Sequence, residues 1–510
     1  MSSKFPFFLG TILIILTIFT RFFNLDWGNG YYFHPDENNM AISIEQMSLK
    51  NLHPDFFAYG QFPLFLTFFT TPKHQFSTII LTLRFWSAIF SSLSVLFFYL
   101  IIKEFIKSSK IIFLSVLLFI FTPGLIQAAH FGTTESILIL VFLINIHLSL
   151  KFLKQPKLIF IFLSSLISGI GLATKISSLI LISPMFLGIF FIFLKNKKFL
   201  KFIISILFFI SLIFTISFIF SPYNFLDFAS FKSSMTYEIG VANGTIPVFY
   251  TRQFINSLPY IFQFQKIFPY TNGIPMLLFS FFGFLVILKS YLKHKFDLRL
   301  LLVLIPSLVF FLYQGQLFVK WTRFIAPIFF ISPFLTTFFI NKIKKKLLIV
   351  LITIICLIPG VIFFQKYFVA DVRVQASKWI DQNISSNSSI LSESGNVINL
   401  PLSNNLSVIN FDFYQLDESP EKQNLLYSYI NICNYIFIPS RRVFKNQNNS
   451  SFPKSHDYYQ RLFSGDLGFV KIKDFYLNNS FLLNSEDAEE TWSVFDNPTI
   501  RIYQYQNEKS

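Results

Sequence analysis

Residues 202–220 read FIISILFFISLIFTISFIF, a run without one charged side chain. A helix rises about 1.5 Å per residue, so a run of this length crosses the hydrocarbon of a bilayer. Lys195, Lys197, Lys198 and Lys201 stand just before it. Comparable runs recur near 6–23, 85–102, 111–127, 135–153, 158–174, 176–194, 273–292, 299–315, 323–340 and 347–364, which makes eleven expected spans. The first has no small-residue cleavage site before Arg21, so it is expected to remain as a span. The predicted fold class is a polytopic α-helical membrane protein.

Composition points the same way. Of 510 residues, 53% are hydrophobic, 13% are charged and 73 are Phe, with a mean hydropathy of +0.56. Ordinary soluble domains carry about twice that charged share. A cytosolic enzyme, a transcription factor and a nucleic-acid-binding protein are therefore excluded. The formal charge of +16 reads first as membrane topology. Cys356 and Cys433 build no disulfide framework.

The lysines predict orientation. Every even-numbered span ends in a basic cluster: Lys103, Lys107 and Lys110; Lys151, Lys154 and Lys157; Lys195 to Lys201; Lys293, Lys295 and Arg299; Lys342 to Lys346. Basic loops stay in the cytoplasm. The expectation is a multi-pass cell-membrane protein with a cytoplasmic N terminus and with segments 24–84, 221–272 and 365–510 outside. Residues 1–367 hold 30 Lys and Arg against 10 Asp and Glu, a net of +20, whereas residues 368–510 hold 12 against 16, a net of −4. Two domains are expected: a membrane domain 1–367 with outer loops 24–84 and 221–272, and a small extracytoplasmic α/β domain 368–510. Within the latter, Asp371 to Ile384 is helix-like, and Tyr435–Pro439 and Thr499–Tyr505 are strand-like.

Acids are scarce in the membrane part, so each needs a reason. Pro35 suits the first turn of a helix, which places Asp36 and Glu37 in that turn. A carboxylate there is a candidate general base or metal ligand, and equally an ordinary acidic helix start. Glu135 opens the fourth span after Thr133-Thr134 and either faces a cavity or completes a helix cap. Arg84, Lys175, Arg252, Lys320 and Arg323 fall on the outer side, against the positive-inside tendency. An anionic lipid phosphate would account for them, and snorkelling to headgroups would do so singly. His34, His53 and His130 lack metal-ligand spacing, which argues against a zinc site. Asn-X-Ser/Thr triplets at Asn243, Asn383 and Asn405 are what an Asn/Ser-rich composition produces by chance.

Taken in order, these residues carry a resemblance. Arg21, Phe33-His34-Pro35-Asp36-Glu37 and Tyr59-Gly60-Gln61-Phe62-Pro63-Leu64 resemble the first outer loop of GT-C glycosyltransferases, and most closely the superfamily of protein O-mannosyltransferases and the lipid A aminoarabinose transferase. Arg84-Phe85-Trp86, Gly171-Leu172-Ala173-Thr174-Lys175, Lys320-Trp321-Thr322-Arg323-Phe324 and Ala488 to Pro498 are similar to later motifs of bacterial and archaeal members.

The resemblance implies a GT-C fold and an inverting transfer of a sugar from a polyprenyl-phosphate donor to a hydroxyl of a protein, lipid or glycan acceptor at the outer membrane face. It implies Asp36 as general base, Glu37 beside it and Glu135 as a second acid. It also implies Lys175, Arg252, Arg323, Lys320 and Arg84 on the donor phosphate, and His34, Tyr59 and Gln61 along the acceptor loop. Some members use a divalent metal and others none, so a metal stays open. Phe324 stands where relatives often have Tyr. A lipid-linked glycan flippase or polymerase, or another envelope transporter, is the alternative; it needs neither the acidic pair nor a large outer C-terminal domain.

Overall fold

The computed structural model describes residues 7–293, 297–393, 400–402, 406–447, 450–477 and 480–506; Lys295 and Asn405 lie outside them. Seven helices among the described residues are long and apolar enough to cross a membrane: Phe76–Phe105, Glu135–Lys154, Ile176–Phe193, Phe199–Phe220, Pro269–Leu292, Leu298–Gln316 and Lys346–Phe368. The other expected spans fall on two bent helix pairs and on the shorter apolar helices Phe7–Phe22 and Leu158–Leu172. The chain is a multi-pass membrane protein.

Burial separates the centre of the bundle from its rim. Helix Glu135–Lys154 is 83% buried over its most apolar window, against 22% for Phe199–Phe220. On the latter, Leu207, Phe214 and Ile219 are exposed. Large apolar side chains in contiguous exposed patches suit a hydrocarbon solvent. Where helices meet, small residues let backbones approach: a Cβ on Gly283 would lie 1.9 Å from the Leu335 carbonyl oxygen.

Two of the expected spans are bent. Runs 111–127 and 323–340 are not single straight helices. Ser109–Ile120 and Pro123–His130 meet at 54°, and Thr322–Ile328 and Ile331–Ile340 at 42°. Pro123 and Pro327 lack the N–H that a continuous ladder requires. Helix Phe76–Phe105 also starts earlier than the expected span, so Arg84 sits in its third turn and not at its entry.

The long connections gather at one end of the bundle. There Gln61 Nε2 donates to Asn224 Oδ1 at 2.8 Å, and Gln253 Nε2 donates to Glu489 Oε1 at 2.9 Å. At the other end Glu104 pairs with Lys154 and with Lys151 (3.5 Å), while Arg299 donates to the Glu104 carbonyl at 2.8 Å.

The C-terminal region holds a five-stranded sheet of β1 Ser389–Glu393, β2 Ser407–Phe411, β3 Tyr435–Ile438, β4 Phe469–Phe475 and β5 Ile500–Tyr505, in the order β2-β1-β3-β5-β4. β1 runs parallel to β2 and β3, and β5 is antiparallel to β3 and β4. Alternate residues face opposite layers. Ile390, Phe437 and Ile502 pack on helix Val372–Asn383, whereas Leu391, Ile436 and Tyr503 pack with helices Pro420–Ile432 and Pro453–Ser464. The expected α/β character, helix and two strands are thus present. The segment after Ala488 then returns to the membrane body, where Trp492 and Phe495 bury themselves against Trp27, Phe33, Phe131 and Tyr367.

Candidate functional site

Pro35 does begin a helix, Pro35–Gln46, with Asp36 and Glu37 in its first turn. Successive helical residues point about 100° apart, so the two carboxylates part company. Glu37 turns inward. Its Oε2 receives Arg84 Nη2 at 2.6 Å, its Oε1 receives the Gly132 N–H at 2.6 Å, and neither side chain of the ion pair has exposed surface. Asp36 turns the other way, onto the wall of a cavity of about 730 Å³, and there forms an ion pair with Arg323.

The five cations expected on the outer side do not all line one cavity. Arg84 also donates to the Leu25 carbonyl at 2.8 Å and stacks on Trp27 at 4.5 Å. Arg252 donates to the Tyr414 carbonyl at 2.8 Å and lies over Phe452 at 4.3 Å. Lys320 donates to Ser257 Oγ at 3.0 Å and to the Phe318 carbonyl at 2.9 Å. None of these three lines the cavity; each joins segments of the loop end. Glu37 likewise stays off the cavity wall, held inside the loop by Arg84 and Gly132. Lys175 and Arg323 do reach the cavity.

Lys175 stands in the break between helix Leu158–Leu172 and the turn Ile176–Ile182, in extended backbone. Loop residues hold that break: Gly60 N–H donates to the Thr174 carbonyl at 2.9 Å and Phe62 N–H to the Ala173 carbonyl at 3.1 Å. A Cβ on Gly60 would lie 2.1 Å from the Ala173 oxygen, so only glycine allows this pairing. The pairing brings Tyr59 under the Lys175 ammonium at 5.3 Å, with Phe324 at 4.8 Å on another side. The Phe324 ring thus serves as an apolar support. Lys175 makes no ion pair among the described residues.

Glu135 and His34 lie behind Arg323, around a separate small cavity of about 30 Å³. Thr133 Oγ1 donates to Glu135 Oε2, while Oε1 has no hydrogen-bond partner. His34 is wedged between Phe131 and Phe495, at 4.6 Å from each ring. Burial, reinforced by Arg323, pushes its imidazole well below the ordinary value of 6.5 and keeps it neutral. Gln61 is fully buried and ties the first loop to Tyr223 and Asn224. Tyr59 lines the main cavity, whereas His34 and Gln61 support it from outside.

Sequence reasoning missed Glu238, on helix Phe228–Asn243, and the Arg442–Glu490 pair (3.2 Å), all of which line the cavity. Burial raises the carboxyl groups of Glu238 and Glu490 above the ordinary range. Glu490 lies within the motif from Ala488 to Pro498, which gave it no role of its own, and the sequence settings of Glu238 and Arg442 offer no motif. Only the expectation that segment 221–272 lies outside could have drawn attention to Glu238. The apolar part of the wall includes Ile176, Leu179, Ile180, Phe310 and Leu317. Among the described residues, no group of three or more His, Cys, Asp or Glu side chains is arranged to hold a metal ion.

Comparisons with known proteins define the class. Residues 65–220 match the family described as dolichyl-phosphate-mannose-protein mannosyltransferase. That segment includes Arg84, Glu135 and Lys175 but neither Asp36 nor Arg323. Among solved structures, the apo oligosaccharyltransferase of Archaeoglobus fulgidus superposes with a TM-score of 0.52 at 12% identity, covering 93% of this chain and 74% of that one. The same archaeal enzyme tethered to an acceptor peptide gives 0.52 at 10% identity, with 98% and 88% covered. AglB from that organism, in complex with an inhibitory peptide and a dolichol-phosphate, gives 0.53 at 12% identity, with 88% and 72% covered. No curated protein matches the sequence. The resemblance read from the motifs is borne out: the chain has the GT-C fold, with a mannosyltransferase-like segment in its membrane part.

Proposed function

We propose that this chain is an inverting glycosyltransferase that moves a sugar from a polyprenyl-phosphate donor to an acceptor hydroxyl at the outer face of the membrane. One observation carries the reading: a single large cavity at the loop end gathers a carboxylate, Asp36, with two cations, Arg323 and Lys175, and continues into an apolar wall. The dolichol-phosphate bound by AglB is the same class of ligand.

The chemistry follows from the placement. The apolar wall takes the first isoprene units, and Lys175 and Arg323 receive the phosphate. Phosphate and Asp36 compete for the same guanidinium. As Arg323 turns to the phosphate, Asp36 loses its counter-charge and becomes the stronger base. It then removes the acceptor hydroxyl's proton while the oxygen attacks the anomeric carbon from the side opposite the departing phosphate. The C1–O bond to phosphate breaks as the new C1–O bond forms, which inverts the anomeric centre. Glu37 and Arg84 set the helix that aims Asp36, and Glu135 lies behind Arg323.

In this reading residues 1–367 form the catalytic body, with the N terminus cytoplasmic, and residues 368–510 form an extracytoplasmic cap that closes the cavity through Arg442 and Glu490. The test is transfer by the purified full-length protein from a panel of lipid-phosphate sugars, with and without chelator. Asp36→Asn should lower turnover about 10²- to 10⁴-fold. Near wild-type transfer by that variant would remove Asp36 as the base.

A further inference from the structure

Helix Phe228–Asn243 covers one side of the cavity. Phe231, Met235, Glu238 and Ala242 line it, a spacing that places them on one helical face. Both ends of this helix are tied down. Asp227 accepts from the Ser230 N–H at 3.2 Å and meets His53 Nε2 at 3.2 Å. At the far end the Ala242 carbonyl accepts from the Val319 N–H at 3.1 Å, and Gly244 turns the chain at φ 78°. Glu238 is therefore aimed by a fixed scaffold.

Glu238 is half buried, and neither a hydrogen bond nor an ion pair engages its carboxylate among the described residues. Lys175 lines the same cavity, and its positive charge reaches Glu238 without the two closing into an ion pair. A phosphate on Lys175 and a carboxylate repel each other, so Glu238 is no phosphate ligand. A carboxylate with two free acceptor oxygens binds paired hydroxyl donors. In a lipid-phosphate sugar, the group joined directly to the phosphate is a ring carrying adjacent hydroxyls. Tyr237 and Tyr250, which also line the cavity with hydroxyls 3.3 Å apart, add aromatic surface and hydrogen-bonding groups beside Glu238.

We propose that Glu238 is the sugar-selecting residue of this cavity: its carboxylate accepts hydrogen bonds from ring hydroxyls of the donor while Lys175 holds the phosphate. This rests on the reading of the chain as a lipid-phosphate-sugar transferase. The peptide-like alternative, in which Glu238 contacts the acceptor, is an outcome of the test.

The test uses the full-length protein in lipid nanodiscs and measures binding of polyprenyl phosphate, polyprenyl-phosphate mannose, glucose and xylose, and single-deoxy analogues of the tightest donor. In the wild type one sugar should bind more tightly than the bare lipid phosphate, and at least one deoxy analogue should bind worse. Glu238→Gln, which keeps the shape, should leave bare lipid phosphate within about twofold, weaken that sugar donor about 10- to 100-fold and abolish the deoxy discrimination. Glu238→Asp should recover part of it. In turnover the donor KM should rise more than kcat falls.

The proposal is overturned if no sugar improves on bare lipid phosphate, if Glu238→Gln weakens both lipids equally, or if it raises only the acceptor KM. Those results leave the transferase reading intact where Lys175→Met still weakens bare lipid phosphate. If the wild type binds none of the lipids, or Lys175→Met changes nothing, the transferase reading falls and takes the proposal with it.

Discussion

Arg84 and Glu37 meet at 2.6 Å with neither side chain exposed, and Gly132 donates its N–H to the same carboxylate at 2.6 Å. The pair locks the first connecting loop onto helix Phe76–Phe105 and so fixes where Asp36 faces. Removing one partner strands a buried charge. Arg84→Met or Glu37→Gln should cost about 3–5 kcal/mol. Thermal unfolding in detergent would show this as a large loss for either single variant and a partial recovery in the double variant Arg84→Met with Glu37→Leu. Asp36→Asn, by contrast, should unfold close to the wild type.

Gly60 makes a second, steric prediction. Its Cα lies so close to the Ala173 carbonyl that Gly60→Ala must push the two segments apart. The pairing through Thr174 then loosens and Lys175 leaves its place over Tyr59. Affinity for bare polyprenyl phosphate should fall by about tenfold or more, as the loss of a positioned charge-assisted contact would do. An unchanged affinity in Gly60→Ala would show that Lys175 is held some other way.

Glu489 links the C-terminal segment to the residue next to Arg323. Its Oε2 accepts from the Thr322 N–H at 2.9 Å and from Thr322 Oγ1 at 2.8 Å. Glu489→Ala should let Arg323 drift from Asp36. In the proposed reaction kcat should fall about 10-fold or more, with the acceptor KM affected less. Glu489→Gln, which keeps an acceptor oxygen, should recover part of the loss. Equal behaviour of the two variants would dissociate this contact from Arg323.

His34 predicts acid sensitivity. Its folded value is held well below 6.5 by burial, so in acid the unfolded chain binds a proton that the folded chain refuses. This contribution to stability is present above about pH 6.5 and is lost as the pH falls below it. His34→Phe keeps an aromatic ring between Phe131 and Phe495 and should flatten the fall in melting temperature between about pH 6.5 and 4. A parallel fall in both proteins would assign the acid sensitivity elsewhere.

Much of the fold was legible in the chain because lipid enforces a length rule. A segment such as 202–220, apolar on every face, has no alternative to crossing or lining a hydrocarbon layer. The strands at Tyr435–Ile438 and Ile500–Tyr505 were legible for a related reason, since alternate side chains serve two packed layers. The bends after Ile120 and Ile328 were not, because hydrophobic length carries no information about axis direction.

The candidate site divides along the same line. Sequence alone determined that Asp36 and Glu37 share a helical turn, because Pro35 sets that turn, and that Lys175 and Arg323 carry charge where an apolar chain offers it no support. Only the tertiary structure decided which charges serve each other. Helical rotation turns Glu37 into the interior and Asp36 into the cavity. Arg84, Arg252 and Lys320 find partners tens to hundreds of positions away, and Glu238 reaches the cavity from a helix with no recognisable motif. An ion pair depends on distance across space, and distance along the chain does not specify it.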